Sequence, residues 1–178
     1  IGGVKMLSIL RELVAGELDI QAIFLAGRND ELRSQAESIA RTAPFPVKVI
    51  GYSDEVEKIM QSANVMVSKL GGLTTFEAVA CNLPIIADAT TPPMPQEAGT
   101  VNMIAKRGAG VLLERTTDIV PIVKKLIEDD GKYGEMKAAM ANLAIPNATE
   151  NIVSEITALL PGATGPKKSL GAVVSQQA

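Results

Sequence analysis

The strongest constraint in this chain is a rhythm. Short apolar runs alternate with longer amphipathic stretches along most of its length. The runs "IQAIFLAG" (20–27), "PVKVIGY" (46–52), "NVMVS" (64–68), "PIIAD" (84–88) and "AGVLL" (109–113) read as buried strands. Between them, helical spacing predicts helices over 4–16, 29–42, 53–63, 74–82 and 96–108, and three more follow over 116–129, 131–143 and 148–160. Leu7, Leu10 and Val14 form the apolar stripe of the first helix, which ends on Gly16. Asn29 or Asp30 caps the second, and Ser53 opens the third. Strands that are apolar throughout and separated by helices imply a parallel sheet covered on both faces. The expected fold class is therefore α/β, a Rossmann-like doubly wound parallel sheet. In such sheets ligands bind beyond the carboxyl ends of the strands, near the switch point.

Composition narrows the chemistry. A net charge of −3 provides no basic field for nucleic acid, and aromatic residues, at 3%, are too few for base-stacking platforms. With no histidine, neither a Ser-His-Asp nor a Cys-His mechanism can operate within this chain, and histidine-ligated zinc is excluded. The single cysteine, Cys81, closes no internal disulfide and reads as a small buried hydrophobe. No apolar run approaches the ~18 residues of a membrane span and no signal peptide is visible, so the expected location is cytoplasmic. The opening "IGGVKML" puts a glycine pair where one normally follows a strand, so a preceding strand is expected to lie upstream of this sequence. The segment 161–178, rich in Pro, Gly and Ser, reads as a tail or return segment, and 1–160 as one domain.

Two polar clusters stand at strand ends. In "SKLGGLTTFEAVACNLPII" (68–86), Gly71 and Gly72 would let backbone amides approach an anion at a helix N-terminus, and Thr74 and Thr75 add hydroxyls. Thr74-x-x-Glu77 equally fits a capping box, which would explain both residues without a ligand. Neither the Walker pattern nor G-x-G-x-x-G occurs. In "PPMPQEAGTVN" (92–102), Gln96 and Glu97 could clamp vicinal hydroxyls of a sugar, or Glu97 could simply complement the helix dipole. Asn147 is expected to cap the last helix, and Lys167-Lys168 to lie in a solvated tail. The acidic run Glu128-Asp129-Asp130 sits at the end of a helix, where the dipole disfavours it.

Together these clusters resemble the carboxyl-terminal, donor-binding domain of GT-B glycosyltransferases of family 28, and among them the diacylglycerol glycosyltransferases such as monogalactosyldiacylglycerol synthase. The shared features are G-x-x-T-x-x-E-A, a proline opening the next strand, P-x-Q-E-A-G, and the G-A-G of a late strand, over roughly residues 1 to 160. The resemblance implies a UDP-hexose donor. Gly71, Gly72, Thr74 and Thr75 would hold its diphosphate, with Gly2 and Gly3 facing the same group; Glu77 would hold the ribose, Tyr52 would lie beside the uracil, and Gln96 and Glu97 would bind the sugar. Lys5 and Met6 depart from the small residues of the family's first glycine-rich loop, and Leu70 replaces a proline.

The implied reaction is inversion at the anomeric carbon with no metal and no cofactor, the leaving UDP being stabilised by amides and a helix dipole. No catalytic base is assigned within this sequence. The resemblance assigns the base and the acceptor site to an amino-terminal domain absent here, and through it a lipid acceptor and peripheral membrane contact. The fragment alone is expected to be inactive. Two alternatives remain. One is a UDP-N-acetylglucosamine 2-epimerase-like enzyme, whose loop carries a second acid where Ala78 follows Glu77 here. The other is a non-enzymatic nucleotide-binding or interaction domain.

Overall fold

The computed structural model describes residues 2–92 and 95–160, with side chains described over 5–92 and 97–160. The expected tail, 161–178, lies outside the described residues. The chain divides into two compact units, Ile1–Ala144 and Ile145–Ala178.

In the first unit helices and strands alternate: α1 (Gly2–Ala15), β1 (Ala22–Leu25), α2 (Asp30–Ala40), β2 (Val47–Ile50), α3 (Val56–Ser62), β3 (Met66–Ser68), α4 (Gly72–Ala80), β4 (Ile85–Asp88), α5 (Pro95–Lys106) and β5 (Gly110–Leu113). A 3-10 turn (Thr116–Asp118), α6 (Ile119–Glu128) and α7 (Asp130–Leu143) complete it. The expected α/β class and parallel pairing hold. β1 pairs with β2 in the register Ala22↔Val47, and β3, β4 and β5 pair in that order through Met66↔Ile85 and Ile85↔Gly110. The described ladders form two groups, β1–β2 and β3–β4–β5.

Alternation along β4 shows how the sheet is sandwiched. Ile85 and Ala87 face a core built with Leu70, Ala78, Val79 and Ile104, from the β3–α4 loop, α4 and α5, while Ile86 faces Ile9 of α1 and Ile119 of α6. Both isoleucines are fully buried, each worth about 1.5–3 kcal/mol of apolar burial. α1 also packs Leu7 and Leu10 against Phe24, Ala26 and Ala36, so it shares one face with α2.

Several local expectations change. Asn29 caps α2 as expected, its Oδ1 accepting from the Leu32 N–H at 2.9 Å. Ser53 does not cap α3: its hydroxyl accepts from the Glu55 N–H, and the helix starts at Val56. Of the acids that looked misplaced at the end of α6, Asp129 and Asp130 belong to the next helix, because Asp129 is the N-cap of α7 and accepts from the Lys132 N–H at 2.8 Å, while Glu128 does end α6. In the second unit, α8 (Ala148–Ala158) follows Asn147, whose side chain makes no capping bond; its backbone is left-handed, φ 54°.

α5 ends in a Schellman arrangement. Ala109 N–H reaches Ile104 O and Gly108 N–H reaches Ala105 O, with Gly108 left-handed at φ +72°. Gly110 has a different reason to be glycine: a Cβ there would stand 2.4 Å from Ile85 O and 2.6 Å from Ile104 Cγ2. The G-A-G that looked like a family signature is thus structural. Gly110→Ala is expected to cost about 3 kcal/mol or more, because a backbone carbonyl cannot yield as a side chain can. Urea unfolding measures it, and a loss below about 1 kcal/mol would mean the β4–β5 contact relaxes.

Candidate functional site

The parallel strands and their antiparallel helices bring the N-termini of α1, α4 and α5 to one edge, where the strands' carboxyl ends lie. Gly2 and Gly3 form the first turn of α1 at this edge. The β3–α4 loop is built so that its amides are available. Gly71 is the N-cap, extended at φ −81° and ψ 151°, and the first intrahelical bond runs from Thr75 N–H to Gly71 O. The amides of Gly72, Leu73 and Thr74 precede that bond and have no carbonyl within the helix to donate to.

This start overturns the capping box. Thr74 is the third residue of α4 and no side chain caps the helix, so the spacing Thr74-x-x-Glu77 is not a helix-start device. The Glu77 carboxylate is exposed and makes no hydrogen bond or ion pair among the described residues. Thr75, by contrast, is fully buried, and its hydroxyl donates to Gly71 O at 2.8 Å. It therefore fixes the loop from beneath rather than presenting a donor at the edge.

Apart from the N-cap role of Gly71, the glycine pair has no structural explanation of its own. Neither residue has a left-handed φ, and a Cβ on either would meet nothing within 4 Å. Their absent side chains leave open space above the α4 N-terminus. Leu73 and Phe76 of α4 are 84% and 54% exposed, an apolar pair that sequence reasoning did not single out.

The second cluster meets the first through an ion pair. Glu97, in the first turn of α5, lies with Oε2 3.8 Å from Lys69 Nζ of the β3–α4 loop. Such a partly exposed pair is worth under about 1 kcal/mol, so its role is geometric more than energetic. The Gln96 side chain lies outside the described residues. Asp88, at the end of β4, accepts from both the N–H and the hydroxyl of Thr90 at 3.0 and 2.7 Å and fixes how the chain leaves the strand. Tyr52 follows β2 and is exposed rather than a core residue, and the Arg28 guanidinium stacks 4.3 Å from its ring centroid. Cys81 ends α4, where burial first, then the carboxylates of Glu57 and Glu77, push its thiol pKa up, as befits an unreactive small residue.

A shallow cavity of about 530 Å3 lies elsewhere, between α1 and α2, lined by Arg11, Val14, Gln35, Ile39 and Thr42. It lies towards the carboxyl ends of both helices, away from the edge that gathers the glycines. We assign the site to that edge on its free amides, not on concavity.

Residues 5–152 match the model of the glycosyltransferase family 28 C-terminal domain. The chain belongs to that family. A processive diacylglycerol beta-glucosyltransferase of Bacillus licheniformis is 30% identical over 87% of this chain, and one of Bacillus cereus 29% identical over 79%. The chain spans about 40% and 36% of the length of these two relatives. Among solved structures, MurG of Acinetobacter baumannii superposes with a TM-score of 0.72 at 17% identity, covering 86% of this chain and 46% of MurG. WaaG, a glycosyltransferase involved in lipopolysaccharide biosynthesis, gives 0.62 at 13% identity, covering 90% of this chain and 43% of WaaG. These likenesses establish the fold, a Rossmann-like half of the GT-B type, and no membrane-crossing helix occurs among the described residues.

Thr75→Val is expected to lower stability by about 1 kcal/mol, the net worth of its hydrogen bond, with little change in packing volume. Urea unfolding of the variant against the parent checks this, and an unchanged midpoint would remove Thr75 as the support of the loop.

Proposed function

We propose that this chain holds the UDP-hexose donor of an inverting hexosyltransferase whose acceptor is a diacylglycerol lipid. The observation that carries this reading is the glycine pair at the α4 N-terminus. Gly71, as N-cap, is a favoured capping residue, but Gly72 inside the first turn weakens the helix by up to roughly 0.5–1 kcal/mol relative to alanine, and the fold has neither a dihedral nor a steric need for it. Leaving room for a diphosphate against the free amides of Gly72, Leu73 and Thr74 accounts for both residues.

In this reading Glu77, released from any capping role, accepts from the ribose hydroxyls, and Tyr52 lies beside the uracil. Gln96 and Glu97 take the sugar hydroxyls, and Gly2 and Gly3 add amides from the α1 N-terminus. Thr75 acts through Gly71. The acceptor hydroxyl attacks the anomeric carbon as the bond to the UDP oxygen breaks, and the amides and helix dipole stabilise the charge that develops on that oxygen. The base that removes the acceptor's proton and the acceptor site itself belong to the rest of the polypeptide, so this chain alone turns nothing over. No metal is required. The relatives' names support the lipid acceptor, and contact with a membrane surface would come with it. The epimerase alternative loses ground because Ala78, where that loop carries a second acid, is wholly buried.

Calorimetric titration with UDP tests the assignment. The parent chain is expected to bind, and Glu77→Ala to lose about 1–3 kcal/mol. Gly72→Ala is expected to fold at least as stably as the parent, because alanine is the better helix former, and yet to lose UDP binding. A Gly72→Ala variant that binds UDP like the parent would refute the cradle, and a folded parent indifferent to millimolar UDP would refute the donor assignment.

A further inference from the structure

Lys69 is the only Lys or Arg between Lys58 and Lys106, a span that holds both polar clusters of the candidate site and the acids Glu77, Asp88 and Glu97. The N-terminus of α4 offers an anion about half a positive charge. Lys69 supplies the one full positive charge in that stretch of chain.

The backbone of Lys69 is held, and its side chain is not. Its carbonyl accepts from the Gly71 N–H at 2.9 Å and from the Ser68 hydroxyl at 3.0 Å, which fixes the residue two positions before the α4 N-cap. The side chain is 43% exposed, and its Nζ stands 3.8 Å from Glu97 Oε2, beyond the about 2.7–3.2 Å of an N–H···O bond. The pair is thus an attraction across a gap. An ammonium on a flexible four-carbon stem leaves such a contact at little cost. Both partners stand where the donor reading needs them: Lys69 leads into the diphosphate cradle, and Glu97 takes hexose hydroxyls.

We propose that Lys69 and Glu97 form an exchange pair by which the site tells donor from product. The exchange presupposes the donor assignment and adds to it how the site is emptied. Before binding, the two charges face each other. When a UDP-hexose enters, Lys69 turns to its diphosphate and Glu97 Oε2 accepts from the hexose hydroxyls, so each charge trades one partner for another. With UDP alone, Lys69 reaches the diphosphate only by giving up the ion pair, with nothing gained at Glu97 Oε2. Once the hexose has been transferred, the pair re-forms and favours release of UDP. Discrimination here is a difference of two affinities, set by one competing carboxylate.

Calorimetric titrations with UDP, UDP-glucose and UDP-galactose test the exchange. Each variant is first checked by urea unfolding, where a partly exposed pair moves the midpoint little. Lys69→Met is expected to weaken the better-bound UDP-hexose by roughly tenfold or more, the worth of a charge-assisted bond, and UDP by less. Lys69→Arg is expected to keep most of that affinity. Glu97→Gln is expected to tighten UDP by about 2–5-fold, the worth of the lost competitor, and not to tighten the UDP-hexose, so the preference for donor over product shrinks. In the Lys69→Met background the same substitution is expected to leave UDP binding where it was, because no ammonium remains to exchange. Three results would each overturn the exchange while leaving the donor assignment standing. They are a Lys69→Met variant that binds like the parent, a Glu97→Gln variant whose UDP affinity is unchanged, and equal tightening with and without Lys69, which marks direct repulsion of UDP by Glu97. A folded parent that binds none of the three nucleotides would refute the donor assignment and the exchange with it.

Discussion

Everything in the first unit leans on α1. Leu7, Ile9 and Leu10 are each at most 3% exposed, and they do not point the same way. Leu7 and Leu10, with Val14, form the stripe that packs on β1 and α2, while Ile9, with Met6 and Leu13, forms a second stripe that packs on β3, β4, α6 and the 3-10 turn. A helix apolar on more than half its circumference belongs between layers rather than at a surface. Among the described residues it is the one element whose side chains lie in both ladder groups' cores, so a change at Ile9 would loosen β4 and a change at Leu10 would loosen β1.

Much of this was legible from periodicity, because strand and helix alternation depends on burial patterns a few residues long. Every expected strand and helix of the first unit appears; the strands are shorter than expected, while α1, α4, α5 and α7 begin one or two residues earlier. The failures are of two kinds. One is capping: Ser53 and Thr74 carry the right side chains at plausible positions, but a cap is decided by which backbone turns first, and at α4 that is Gly71. The other is the single apolar stripe read for α1. Met6, Ile9 and Leu13 were visible in the sequence, yet a second stripe has meaning only once a second surface exists to receive it.

The candidate site divides along the same line. Its glycines, threonines and acids stand out because they interrupt apolar runs. The contacts that arrange them do not: Lys69 comes from the β3–α4 loop and Glu97 from the first turn of α5, Arg28 and Tyr52 from two different loops, and each pair meets because neighbouring parallel strands deliver their exits to a common edge. Burial sorts residues that look alike in sequence. Thr74 and Thr75 are adjacent hydroxyls, yet one stands in the first turn of α4 with its amide free and the other is sealed beneath Gly71. The glycines sort in the same way, since Gly108 answers to a left-handed backbone, Gly110 to a carbonyl 2.4 Å from where a Cβ would be, and Gly71 and Gly72 to neither.

The freedom of Gly71 and Gly72 from packing bears on what a helix N-terminus can hold. A helix N-terminus carries roughly half a positive charge, spread over its first turn, and its effect on an anion fades within that distance. One such terminus, at α4, is a weak holder for a diphosphate in water; two converging on it would be a good deal stronger. α1 points its own N-terminus, led by Gly2 and Gly3, towards the same edge. The position of the glycine pairs follows from this: both lie where a helix leaves the sheet's carboxyl edge, and at α4 the packing of the fold leaves the choice of side chain open.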